Sequence, residues 1–256
     1  MRKKPVKTRN FGLVKDTFDI RDRIYVRRLK ADVYPESTER RNFINFPFRW
    51  DQDGIGSCTG HGGAAGFVQA LIRNNQSVFE PSRIFPYYNA RPEDSKNEDC
   101  GASIRDLIKA IAKYGLCKET TWPSDPNKFA VKPSQKAYIE GEQHQAIEYY
   151  RIYPITKEAI MDAIHNGFAL IYGQILYESF MSDKVAKTGN VPYPNTCWED
   201  VVGGHCKLGM DYEPGGVFDL NSWGRNWGSD GGCLIPWKYI LNPKLTFDMW
   251  VIKLTE

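Results

Sequence analysis

The hydrophobic pattern of this chain changes period about halfway along, and that change limits the folds open to it. Between Ser103 and Tyr114 the residues Ile104, Leu107, Ile108 and Ile111 recur at the spacing of one helix face. Ser103 is a suitable cap there and Gly115 a natural stop. A shorter helix is predicted from about Lys157 to His165, capped by Thr156 and ended by Gly167. Beyond it the apolar residues come in runs. Phe168–Tyr177, Cys206–Tyr212, Val217–Asn221, Gly232–Ile235 and Trp250–Leu254 read as strands. Helices followed by strands imply an α+β protein whose two kinds of element occupy separate lobes. The boundary is expected near residues 140–148, with a helical lobe of about 46–143 and a sheet lobe of about 144–256. At 256 residues and 41% hydrophobic content, both lobes can bury a core. Residues 118–135, interrupted by Pro123, Pro126 and Pro133, read as a long connection.

The first 45 residues are different. They are polar and weakly periodic, with at most a short strand around Ile24-Tyr25-Val26, and packed structure is expected to begin near Phe46-Pro47-Phe48. Residues 1–41 hold 13 Lys or Arg and 6 Asp or Glu, hence +7, whereas the remainder holds 21 and 25, hence −4. Opposite charge favours docking of this arm on the body as a weak, salt-sensitive brake. No aromatic platform accompanies the basic charge, so nucleic acid is not an expected partner. No apolar stretch follows the basic start and none approaches the roughly 18 residues of a membrane span, so a soluble, cytoplasmic protein is expected. With no export signal, the six cysteines are expected to be reduced.

Three short motifs can carry chemistry. The first is Asp51-Gln52-Asp53-Gly54-Ile55-Gly56-Ser57-Cys58-Thr59. It places a cysteine where a helix is expected to start, with Ser57 as its cap and Ala64, Ala65, Phe67, Val68, Leu71 and Ile72 on its buried side. The N–H groups and dipole of a helix N-terminus favour a thiolate and can receive an oxyanion. The side-chain amide of Gln52 can reach the same point. The four glycines in and around this helix suit close approach of neighbouring backbone. Taken alone, a buried structural cysteine explains the motif equally well.

The second motif is Gly203-Gly204-His205-Cys206, a histidine leading into a strand behind two glycines. The third is Asn221-Ser222-Trp223-Gly224, a strand end followed by a turn. An asparagine there can accept a hydrogen bond from one imidazole nitrogen and leave the other facing a thiol, while Trp223 shields that bond. His205 lies 147 residues after Cys58 and Asn221 lies 163 after it.

Together, in this order, the motifs resemble the papain-like (C1) cysteine peptidases, over roughly residues 45–256. The similarity is greatest to a bacterial and bacteriophage branch lacking the long inhibitory propeptide, as in Pro81–Phe85, Ile104-Arg105-Asp106 and Tyr177-Glu178-Ser179-Phe180. A phage source would make a virion or host-cell location possible. The resemblance implies a two-lobed fold with a cleft and a thiol endopeptidase with catalytic residues Cys58, His205 and Asn221. It also implies Gln52 at the oxyanion and Trp223 in support. Gly101, within Asp99-Cys100-Gly101-Ala102, and Gly204 would line the substrate. An extended polypeptide is the implied partner, with no metal or organic cofactor, acting as a monomer.

Some positions depart from the family pattern. Ile55 stands where many members have a disulfide cysteine, Thr59 replaces an aromatic residue, His61 follows Cys58 by three, and Cys206 follows the base. Two other readings compete. A metal-binding protein would use Cys58, His61, His205 and Cys206 as ligands. A scaffold retained for binding or virion structure would show weak or no turnover.

Overall fold

The computed structural model describes residues 10–27 and 34–255. Ahead of the sheet come β1 (Leu13–Val14), α1 (Arg41–Asn45), α2 (Cys58–Arg73), α3 (Ile84–Ala90), β2 (Ala102–Ser103), α4 (Ile104–Tyr114) and α5 (Gln135–Gly141). They are followed by β3 (Ala146–Arg151), α6 (Lys157–His165), β4 (Leu170–Tyr177), α7 (Asp183–Thr188), β5 (Val201–Glu213), β6 (Gly216–Leu220), β7 (Gly232–Pro236), α8 (Trp237–Ile240) and β8 (Thr246–Thr255). The last six strands form one antiparallel sheet in the order β3-β8-β4-β5-β6-β7. The fold is α+β and two-lobed, with helices α2–α5 in one lobe and this sheet in the other. No helix among the described residues is long and apolar enough to cross a membrane.

Local chemistry accounts for the elements that flank the site. In α4, Ser103 accepts a hydrogen bond from the Asp106 N–H, and Gly115 closes the helix at φ 66°. In α6, Thr156 caps through the Ala159 N–H. Strand β4 is buried along both faces, which is why it reads as an unbroken apolar run: Ile171 packs with the helices, while Leu170, Tyr172 and Leu176 join a second core beyond the sheet. Helix α2 is buried from Cys58 to Leu71 and lies directly on the sheet. A Cβ at Gly62 would stand 2.8 Å from the Cys206 sulfur, and one at Gly66 2.5 Å from Ile171. These glycines let the helix backbone pack directly on side chains of the strands, at a helix-propensity cost of about 1 kcal/mol each.

Some sequence expectations require correction. Ser57 does not cap α2 with its side chain; its hydroxyl lies 3.3 Å from His61 Nδ1 instead. Strand β3 and helices α3 and α5 were not anticipated: α3 contains Pro86, and α5 starts at the end of the proline-bearing stretch, capped by Ser134. Ile24 forms a single bridge to Arg151 rather than a strand.

The arm departs most from expectation. Packed structure begins well before Phe46, since residues 10–25 are stitched into the body. Many of the arm's basic residues, including Arg2, Lys3, Lys4, Lys7, Arg9 and Arg28, lie outside the described residues. The most buried ion pairs joining the described arm to the body run opposite to the charge count, with arm carboxylates meeting body guanidiniums. Asp22 pairs with Arg105 at 2.5 Å and Arg151 at 2.9 Å. Asp16 accepts from the Arg105 backbone N–H at 3.0 Å and Trp250 Nε1 at 2.9 Å, and its own N–H donates to Asp248 at 2.7 Å. Asp22 and Arg105 are over nine-tenths buried at their side chains, beyond easy reach of screening ions.

Behind the cleft, Lys207 and Asp219 form a 2.8 Å ion pair in which both side chains are completely buried. Tyr172 donates to the same Asp219 oxygen at 2.5 Å, and Lys207 also reaches Gln174 and the Cys233 sulfur. Removing one partner strands the other charge in the core. Lys207→Met is expected to lower unfolding stability by about 3–5 kcal/mol, and Lys207→Met with Asp219→Leu by less, as read from denaturant midpoints. A single variant as stable as wild type would show the pair to be energetically idle.

Candidate active site

The N-terminus of α2 and the edges of β5 and β6 meet at Cys58, His205 and Asn221. Cys58 is the first residue of α2 and completely buried. His205 lies in β5, and Asn221 directly follows β6. The His205 Nε2–H donates to Asn221 Oδ1 at 2.9 Å, because a carbonyl oxygen can only accept. The same oxygen accepts from the Ser222 N–H at 2.9 Å, which fixes the amide plane. Trp223 covers this bond, its ring 5.3 Å from that of His205 and itself braced by Phe180 and Trp227. His205 is fully buried and Asn221 nearly so, which keeps water from competing for the bond.

Gln52 is held to the same loop. Its backbone N–H donates to the Ser222 carbonyl at 2.8 Å, and the Ser222 hydroxyl donates to Gln52 Oε1 at 2.5 Å. That leaves Gln52 Nε2 to donate, to the Ile55 carbonyl at 2.9 Å and the Asn10 carbonyl at 3.4 Å. Ser222 thus orients Gln52, a role the sequence did not disclose. Asp99 was also missed: both its oxygens accept from the Gly56 N–H, anchoring the turn before Cys58, and Tyr87 donates to it at 2.6 Å.

A segment of the chain itself fills the cleft. Phe11 sets its ring edge on His205 at 5.9 Å. The Gly12 carbonyl accepts from the Ala102 N–H at 2.8 Å, and β1 pairs parallel to β2 with Leu13 opposite Ala102. Gly12 is essential to this seating, since a Cβ there would lie 1.9 Å from the Gly56 carbonyl oxygen. Gly101 and Gly204, the two candidate substrate-lining glycines, face this segment. A Cβ on Gly101, whose φ is +76°, would strike Gly12, and one on Gly204 would press the Leu13 carbonyl at 3.3 Å.

With this segment in place, Cys58 does not behave as its helix-start position alone suggests. Burial pushes its thiol pKa up, against the pull of backbone N–H groups from Cys206, Gly12, Thr59 and Cys58 itself. Desolvation outweighs the helix terminus, so the covered thiol is held neutral. His61 is likewise neutral: burial, aided by Arg83, depresses it to about 3, and its Nδ1 lies 3.0 Å from the Ser57 carbonyl. No group of three or more His, Cys, Asp or Glu side chains able to hold a metal occurs among the described residues.

No protein-family model matches the chain. It is 37% identical, over 273 aligned positions covering 96% of this chain and 87% of the other, to an uncharacterised peptidase C1-like protein of Acanthamoeba polyphaga mimivirus. Among solved structures it is similar to xylellain, a cysteine protease from Xylella fastidiosa, at 32% identity, a TM-score of 0.87 and full coverage of both chains. It shares the fold of digestive procathepsin L 3 from Tenebrio molitor larval midgut at 18% identity and a TM-score of 0.73, covering 97% of this chain and 77% of that one. The chain belongs to the papain-like, C1 family of cysteine peptidases.

Proposed function

We propose that the chain is an endopeptidase that cleaves extended polypeptides through a Cys58 thioester. What carries this reading is the 2.9 Å bond from His205 Nε2 to Asn221 beneath Trp223, with the helix-start thiol alongside. Asn221 holds the imidazole so that Nδ1 exchanges the proton with Cys58. The thiolate attacks the peptide carbonyl carbon. The resulting oxyanion takes hydrogen bonds from Gln52 Nε2 and the Cys58 N–H, and His205 then protonates the leaving amine. Water, activated by His205, hydrolyses the thioester. Every one of these groups belongs to the chain.

The segment around Gly12 acts as a brake and not as a substrate. It presents its Gly12 N–H to the Cys58 sulfur, so the nucleophile meets a donor where a substrate offers a carbonyl carbon. A substrate has to displace it in order to lie against Gly101 and Gly204. The buried carboxylate–guanidinium anchors make the brake resistant to salt, in contrast to the expectation from formal charge.

Three outcomes are expected. Cys58→Ala and His205→Ala abolish turnover of a peptide library, Asn221→Ala lowers it less, and Gln52→Ala lowers kcat by roughly 10²–10³. Turnover that survives Cys58→Ala would sink the thiol mechanism. The second concerns the brake: Gly12→Val in the full chain cannot seat the segment, so kcat/KM and alkylation of Cys58 both rise. Salt at about 0.5 M leaves the wild-type rate nearly unchanged. An inert Gly12→Val chain that binds peptide without cleaving it would favour the binding-scaffold reading.

The third is a pH dependence. Burial first, then the Asp16 carboxylate, push Asp248 from 3.8 to about 6, against the pull of the Asp16 N–H, Arg151 and Lys15. A carboxyl whose value is raised by docking binds its proton more tightly in the docked state. Its contribution is therefore present at low pH and lost as pH rises through about 6. The ratio of Gly12→Val to wild-type kcat/KM is expected to be larger near pH ~5 than near ~7. A ratio independent of pH would remove Asp248 from the brake.

A further inference from the structure

Behind the thiol, where α2 faces β5 and β6, lies a cavity of about 20 Å³ whose lining includes Trp50, His61, Gly62, Cys206, Asn221 and Ser222. Gly62 and Ala65 supply the space, having little or no side chain to fill it. A water molecule needs roughly 10–15 Å³ and two to four polar partners. The walls offer a donor and an acceptor. Asn221 uses its Oδ1 for both His205 and Ser222, so its Nδ2 is a donor on the other side. That nitrogen is buried with no hydrogen-bond partner in the protein, at a cost of about 1–3 kcal/mol if left so. The neutral ring of His61 places its Nδ1 3.0 Å from the Ser57 carbonyl, which only accepts, so the proton sits on Nδ1 and Nε2 is a bare acceptor. His61 is 4% exposed and Asn221 3%.

We infer that one ordered water molecule in this cavity accepts from Asn221 Nδ2 and donates to His61 Nε2, making His61 a positioning residue for the Asn221–His205 pair. The water holds the asparagine amide from behind while the Ser222 N–H holds it in front. Both ends of the amide are then fixed, and with them the rotation of the His205 ring. The inference rests on the Cys58–His205–Asn221 mechanism only for its kinetic consequence; the water itself is a structural claim. The charged or titratable groups acting on His61 are Arg83, Asp51 and His205, none of which is altered in the test.

The test compares wild type, His61→Leu and His61→Gln in the full chain. A high-resolution crystal structure of the wild type should show ordered density within hydrogen-bond distance of both Asn221 Nδ2 and His61 Nε2, absent in His61→Leu. On a peptide substrate, His61→Leu should lose about tenfold in kcat with KM little changed, the size typical of a lost orienting partner. His61→Gln, whose amide oxygen can accept from the water, should recover most of that loss. Wild-type kcat in a folded His61→Leu chain, or an equal loss in both variants, overturns the positioning role. Cavity density that is missing in the wild type overturns the water. If His61→Leu does not fold, a tenfold loss in His61→Gln still refutes the proposal. Absence of any thiol-dependent turnover in wild type would count against the peptidase mechanism, while the density would still decide the water.

Discussion

The seam between α2 and the sheet is the constraint on which the site depends. A thiol at a helix start and an imidazole on a strand approach each other only if helix and strand backbones nearly touch. Gly62 against Cys206 and Gly66 against Ile171 allow that contact. A side chain at either position would collide with the Cys206 sulfur or the Ile171 side chain, and something in the seam would have to shift. The helix accepts weaker propensity in return for proximity, and its stability comes from burial on all sides, with Phe67, Val68 and Leu71 packed into the core.

The same seam explains why the candidate site residues sit so far apart in the sequence. Cys58 needs the N–H groups of a helix terminus. His205 and Asn221 need two adjacent antiparallel strands, β5 and β6, to set an imidazole beside an amide. Ser222 then ties the asparagine loop back to Gln52, so the Gln52 side chain and the Asn221 amide share one hydrogen-bonded unit across the lobes. Deeper in the same strands, Lys207 and Asp219 repeat the pairing one step further in, with Tyr172 and Gln174 completing it. The strand pair therefore carries two polar layers, one facing the cleft and one sealed in the core.

Much of this was legible in the residues. The face pattern of Ile104, Leu107 and Ile108 fixes α4, and the apolar runs fix β4 to β8, because each depends on neighbours close in sequence. The shift to strands at the middle of the chain was enough for the α+β, two-lobed architecture. What could not be read depends on partners far away. Asp16 meets Asp248 and Trp250, over 230 positions on, and no local pattern announces that. Counting formal charge does not locate the arm's buried anchors, because burial, not net charge, decides which carboxylates matter. The thiol follows a related rule: its helix terminus is visible in the sequence, but the burial that pushes its pKa up is not. Short elements such as α3 and β3 lack the length for a period to stand out.

The distance between the cleft segment and its anchors has a consequence of its own. Gly12 occupies the cleft, and Asp16 and Asp22 are fastened to the body only a few residues later. The segment is thus a tethered ligand whose leash is too short to let it diffuse away when it lifts off. Short tethers confer effective concentrations on the order of millimolar. On the proposed reading, a free peptide competing for the same groove would face that local concentration however dilute the protein is, so its half-saturation point would reflect the leash as well as the groove. Lengthening the chain between Leu13 and Asp16 would change occupancy of the cleft without altering a single contact within it.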